Sequence, residues 1–312
     1  MRLIFSSILL STAASFAAEM APLSSAASYV GEYGFTDYHF IDPDRPWHVE
    51  GRYRYVGPAK FENHRRGHVD YSDADTAIYY TQFLNDENSL TYELGYDYMQ
   101  FKWEKNPRFR QQNFNYLAAS IGYVSTTLDR WRWIVNAGFS VDAARLDFAE
   151  SGVGHAMLWG RYHFADCCGV HVGMLGWYGV LNGHGWPIFG FDWSFNDHWS
   201  ANAIFPFDYS LTYSFDENWS MNVGYSNFGG PYRYPRRAHD GVKGYRDPIF
   251  TVYSNGAELS FNYKFEHLLR VSLGGGWDFG GWIHIKDGHN HRGKYFRYES
   301  APYARGNLEL TF

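Results

Sequence analysis

Apolar and polar residues alternate along much of this chain, with a period of two. From Leu90, the residues Leu90, Tyr92, Leu94, Tyr96 and Tyr98 fall on one face, and Thr91, Glu93, Gly95 and Asp97 on the other. The pattern recurs from Trp131, where Trp133, Val135, Ala137, Phe139 and Val141 oppose Arg132, Asn136, Gly138, Ser140 and Asp142. It returns from Phe207, from Trp219, from Glu258 and from Leu269. Successive strand side chains point to opposite faces, so this is the signature of strands whose two faces meet different surroundings.

The strand cores predicted in this way lie near 47–57, 76–85, 90–103, 113–126, 131–142, 153–164, 169–181, 187–195, 199–205, 207–215, 219–228, 255–265, 268–279 and 303–312. Short connections near 85–89, 127–130, 165–169, 196–198, 216–218 and 266–267 alternate with longer ones near 58–75, 104–112, 143–152, 229–254 and 280–302. Two connections on the long side are themselves short, at Asn182–Gly185 and around Pro206. A soluble sandwich also alternates. Short turns at one end and long loops at the other instead predict an all-β, transmembrane antiparallel up-and-down barrel of about fourteen strands, with twelve as the alternative. Pro206 cannot donate to a ladder, so 199–205 and 207–215 are read as two strands.

Composition sharpens this. Phe, Trp and Tyr make up 20% of the residues, although the mean hydropathy is −0.43. A barrel hides its apolar face from averages, and its aromatics gather at the two membrane interfaces. Trp131, Trp199 and Trp219 each open a strand after a short acidic turn, which predicts a girdle at one interface. Past residue 18 no run of 18 apolar residues occurs, so no transmembrane helix is available.

The N-terminus reads Met1-Arg2, then an apolar stretch Leu3–Leu10 and the small-x-small site Ser15-Phe16-Ala17. This fits a secretory signal peptide over residues 1–18 better than a buried helix. Residues 19–46 form a leader, and the barrel domain takes 47–312. Export in a Gram-negative cell implies an integral outer-membrane location. Net charge is −6, which argues against a nucleic-acid partner. The adjacent cysteines Cys167 and Cys168 suit a turn, since neighbours rarely bond each other, with an intermolecular bridge as the other reading.

The chain ends Leu308-Glu309-Leu310-Thr311-Phe312. This resembles the C-terminal strand of Gram-negative outer-membrane proteins. The resemblance implies an assembly signal at Leu308, Leu310 and Phe312, read by the barrel-assembly machinery. The segment Trp186-Pro187-Ile188-Phe189-Gly190-Phe191-Asp192-Trp193, with Trp199 and Phe205-Pro206, resembles a family of uncharacterised bacterial outer-membrane β-barrels. That likeness implies the fold and no activity.

Chemistry is sparse. Gly224-Tyr225-Ser226-Asn227 resembles the His-x-Ser-Asn motif of lipid A deacylases, but Gly224 stands where the histidine belongs, so Ser226 lacks an activating base. His155, His163 and His171 have no obvious serine partner and are read as lumen or interface residues. His284, Asp287, His289 and His291 have metal-ligand chemistry, yet fall in a glycine-containing stretch read as a solvated loop; no metal or cofactor is called for. Arg233, Arg236, Arg237, Lys243 and Arg246 make the 229–254 loop basic, suited to lipopolysaccharide phosphates or a surface partner, with a plain solvated loop as the default reading.

The polar face supplies the lumen charges. Glu93, Asp97, Asp142, Asp208, Glu258, Asp278 and Glu309 stand against Arg132, Lys264, Arg270 and Arg305, seven acidic against four basic. Left unpaired, they predict a weak cation preference; paired across the lumen, they would close it. Three functions follow: a passive channel for small solutes, a non-transporting barrel working through its loops, and a lipid-modifying enzyme.

Overall fold

The computed structural model describes residues 44–63, 67–105, 112–179, 183–206, 208–233, 249–286 and 293–312. The signal peptide and the leader up to residue 43 lie outside them. The first half contains β1 (Trp47–Lys60), β2 (His68–Asn85), β3 (Asn88–Trp103), β4 (Asn113–Ser125), β5 (Trp131–Asp142), the short helix α1 (Phe148–Ser151), β6 (Val153–Ala165) and β7 (Cys168–Tyr178). The second half contains β8 (His184–Ser194), β9 (Trp199–Phe205), β10 (Asp208–Ser214), β11 (Trp219–Phe228), β12 (Pro231–Arg233), β13 (Ile249–Phe265), β14 (Leu269–Lys286), β15 (Gly293–Tyr298) and β16 (Ala301–Thr311).

Successive wall strands pair antiparallel, and β16 returns to β1 to close the cylinder. The closing register runs from His48 opposite Thr311 to Val56 opposite Tyr303. Two strands do not add to the circumference. β12 continues β11 along the same edge of β13, and β15 continues β16 along the same edge of β14. The wall is therefore a closed antiparallel barrel of fourteen strands. The break at Pro206 is real: β9 and β10 pair directly, Asp208 opposite Ile204.

At one end the connections are tight, and side chains build them. Asn196 Oδ1 accepts from the backbone N–H groups of His198 and Trp199, both at 2.9 Å. Asp216 Oδ1 does the same for Asn218 and Trp219 at 2.8 Å. These Asx turns satisfy the donors that a reversing chain leaves open.

The other end corrects the sequence reading. Much of the connections expected at 58–75 and 280–302 is strand, and within 229–254 residues 231–233 and 249–254 are strand. β2 starts at His68 instead of 76, β13 at Ile249 instead of 255, and β14 runs on to Lys286. The wall is thus tall along β1–β3 and β13–β16, and low at β9 and β10, which have seven residues each.

Polarity inverts partway up the tall side. Lower down, the outer face is apolar (Tyr53, Tyr55, Leu94, Tyr96, Leu273, Leu308 and Leu310 are exposed), while Glu50, Arg54, Asp75 and Glu93 are buried inside. Higher up, Lys60, Lys102, Lys294 and Arg297 are exposed outside, while Val56, Val69, Tyr71, Met99, Phe101, Trp103, Phe250, Val252, Ile283 and Ile285 form a buried inner cluster. The lower zone has the polarity of a wall in lipid; the upper zone has that of a globular protein in water. At the junction Gly280 has φ +93, a conformation that L side chains rarely adopt, and its N–H donates to Asp278 Oδ1 at 2.7 Å.

Candidate functional site

The interior has three parts. The first is an apolar cap at the long-loop end. Phe250 of β13 lies edge-on to Phe101 of β3, with centroids 5.1 Å apart, and stacks on Phe114 of β4 at 5.4 Å. Tyr232 of β12 adds contacts to Phe114 at 5.0 Å and Tyr116 at 5.8 Å. Around the wall β13 and β4 are six strands apart, so these rings bridge nearly opposite sides of the cylinder. Helix α1 lies beside β12, bringing the β5–β6 connection to the same place. Its N-cap Asp147 accepts from Ala149 and Glu150 at 3.1 Å.

Below the cap lies a belt of paired polar groups. Arg52 Nε donates to Asp75 at 2.7 Å, Arg54 forks onto Asp73, and Tyr79 donates to Glu50 at 2.7 Å. Arg305 forks onto Glu258, with Nε to Oε2 at 3.0 Å. A rail crosses β3 to β6. Ser120 donates to Glu93 at 2.6 Å, Asn136 to Ser120 at 3.2 Å, and His155 Nε2 meets Asn136 Oδ1 at 2.9 Å. Further round, Arg161 forks onto Asp192, with Nε at 2.7 Å and Nη2 at 2.5 Å. His171 is fully buried, and its two ring nitrogens are both engaged. Trp159 Nε1–H donates to Nδ1 at 3.0 Å, so Nε2 carries the proton and donates to Asp192 at 2.7 Å.

The third part is a chamber of 380 Å³ near the short-turn end, walled by β8–β11, β13, β14 and β16. Ser200, Asn202, Thr212, Asn222, Ser260, Asn262, Ser272 and Asn307 line it. Register explains why they form one surface: Thr212 faces Asn222, Asn222 faces Ser260, Asn262 faces Ser272, and Ser272 faces Asn307. Amides rung the strands together. Asn222 donates to Thr212 at 2.8 Å and Asn202 to Asp208 at 2.7 Å. Along β5–β9, Ile134, Met157, Trp159, Leu175, Trp177, Ile188 and Ile204 form a second buried apolar cluster.

The lumen residues expected from alternation occupy these parts. Asp208, Glu258, Lys264, Arg270 and Arg305 line the chamber, and Glu309 lies 4.0 Å from Arg270. Glu93 belongs to the rail, and Asp278 accepts from Ser254 under the cap. Asp97 sits opposite Asp75 on β2. Asp142 closes β5, accepting from Ala144 N–H at 2.8 Å. Arg132 sits opposite Arg161. Of the two outcomes weighed for these charges, pairing is seen at Arg305–Glu258 and Arg270–Glu309. The lumen charges expected from the residue pattern do not include Glu50, Arg52 and Arg54 on β1, nor Asp73 and Asp75, which fall in the 58–75 stretch expected as a connection, nor the Arg161–Asp192 pair.

Trp131, Trp199 and Trp219 sit on the outer face at the short-turn end, against Tyr162, Tyr213 and Tyr263, with centroids 5.1, 4.8 and 4.6 Å apart. Leu308, Leu310 and Phe312 are exposed on the same face of β16. His284 lies in β14 stacked on Tyr295 at 4.0 Å, not in a loop; Asp287, His289 and His291 fall outside the described residues. So do Arg236, Arg237, Lys243 and Arg246, and the Ser226 side chain. Cys167 is exposed in its turn and Cys168 begins β7.

No family model matches the chain. An uncharacterised protein of Chlamydia trachomatis is 23% identical over 286 residues, covering 86% of this chain and 88% of that one. Among solved structures, an outer membrane channel from Pseudomonas putida F1 covers 86% of this chain and 96% of its own, at 9% identity and TM-score 0.46. The Pseudomonas putida toluene transporter TodX covers 88% and 91%, at 9% identity and TM-score 0.40. The fold stands on the strand pairing itself, and these likenesses carry nothing about solute or mechanism.

Proposed function

We propose that this chain is an integral outer-membrane barrel that acts as a passive channel for small polar solutes, held closed at its long-loop end in this conformation. The chamber carries the reading. A barrel that served only as a wall would be filled with packed side chains, as small barrels are. Here the lower interior holds a hydroxyl- and amide-lined space of 380 Å³. That is the size and chemistry of a site for a small hydrogen-bonding molecule. The exposed apolar outer band supports insertion in lipid, because soluble surfaces do not carry such a belt. Lipopolysaccharide outside and the assembly machinery inside are the partners this location implies.

The second reading, a barrel that transports nothing and works through its outer surface, is favoured by the apolar cap. The third, a lipid-modifying enzyme, is not favoured by the histidines: His155 and His171 hydrogen-bond to Asn136, Trp159 and Asp192. The test is conductance of the refolded chain, without its signal peptide, in a planar bilayer. Brief stepwise openings, lengthened when the cap is weakened, support the channel. A folded, heat-modifiable barrel that stays silent, with and without cap substitutions, sinks it.

A further inference from the structure

Arg132 and Arg161 face each other across β5 and β6. Both lie on the inner face, Arg132 in step with Ile134 and Asn136, Arg161 in step with Met157 and Trp159. Like charges set directly opposite in a ladder repel, and a sheet keeps such a pair only when something neutralises it. One carboxylate is at hand. Asp192 gives both oxygens to Arg161 and shares one with His171. The remaining Arg161 nitrogen, Nη1, lies 2.8 Å from His163 Nδ1. Asp192 is thus fully committed to Arg161, and among the described residues no hydrogen bond or ion pair forms on the Arg132 guanidinium. The group carries net positive charge with one bare planar fork.

The surroundings hold this arrangement in place. Gly169 on β7 leaves the room: a Cβ there would come within 2.5 Å of both Arg161 Nε and Asp192 Oδ2. Asp192 also lines the chamber, so its ion pair with Arg161 links this group to the edge of that space.

We infer that Arg132, backed by Arg161 and His163, forms a subsite for an oxyanion, the carboxylate or phosphate group of a small solute in the lumen. The identity of the ligand as a lumen solute rests on the channel reading; the binding itself does not. A guanidinium meets a carboxylate or phosphate with two parallel N–H bonds, and arginines lining a lumen select anions. Binding also neutralises the second charge of the pair, which Asp192 leaves uncompensated.

The test is a calorimetric titration of the refolded chain in detergent micelles with inorganic phosphate. Saturable binding is expected. Arg132→Gln should weaken it about tenfold or more, and Arg132→Lys should fall between, since it keeps the charge and loses the fork. Heat-modifiable migration of each variant checks that the barrel has formed. Wild-type affinity in Arg132→Gln, or no saturable heat with the wild-type chain, overturns the subsite. The two proposals fail separately: phosphate binding without current keeps the subsite and fails the channel, and current without saturable binding does the reverse.

Discussion

Phe250→Ala should convert a mostly closed barrel into a mostly open one without unfolding it. Phe250 is 2% exposed and bridges β13 to Phe101 and Phe114 on the facing wall. Truncating a buried Phe to Ala costs about 3–5 kcal/mol, of which its ring pairs account for about 0.5–1.5 kcal/mol each. Opening the cap parts Phe250 from β3 and β4, so the truncation weakens the closed state and leaves the open one nearly untouched. The lower figure already shifts the open-to-closed ratio by about a hundredfold. The barrel below survives, because its strands are held by backbone ladders that the ring does not join. The assay is single-channel open probability, with Phe261→Ala as control on the outer face of the same strand, where Phe261 is 49% exposed. An unchanged open probability in Phe250→Ala, or an equal rise in the control, would refute the cap as the closing element.

Asp192→Asn leaves the Arg161 guanidinium, 8% exposed, without its counter-charge; stability measured by denaturant unfolding in micelles should drop by about 3–5 kcal/mol. Leu94→Lys puts a cation on the outer face of β3, where Leu94 is 65% exposed, and should cost about 2–4 kcal/mol in vesicle-refolded protein; a neutral result would mean that Leu94 is not in hydrocarbon. Gly169→Ala should lower stability more than the same change at Gly154, because a Cβ at Gly169 meets the ion pair within 2.5 Å while Gly154 has its nearest neighbours at 3.9 Å. Paired unfolding curves decide it.

Alternation is visible where one face meets lipid and the other the lumen, and that covers most of the cylinder. Leu90–Tyr98 and Trp131–Asp142 are read correctly for that reason. Alternation fades where the outer neighbour becomes water. Ile249–Ser254 is buried at every position, so Ile-Phe-Thr-Val-Tyr-Ser offers no polar face to count. In β2 the outward residues Ser72, Ala74 and Thr76 are small and weakly polar, while the inward Asp73 and Asp75 are charged. The pair of faces then looks like a loop. The arginine pair was out of reach for another reason: Arg132 and Arg161 come together only through the register of two strands, which the residue pattern does not specify.

On the proposal that the barrel spans a bilayer, the inversion of polarity along the tall strands also sets how deep it would sit. Lys60, Lys102, Lys294 and Arg297 form a charged collar just above the apolar band. Sinking by two residues, about 6.6 Å along a strand, would drag that collar toward hydrocarbon; rising by the same distance would strip Leu94 and Leu308 of lipid. In that setting the collar would work as a flange that keeps the cap above it in water.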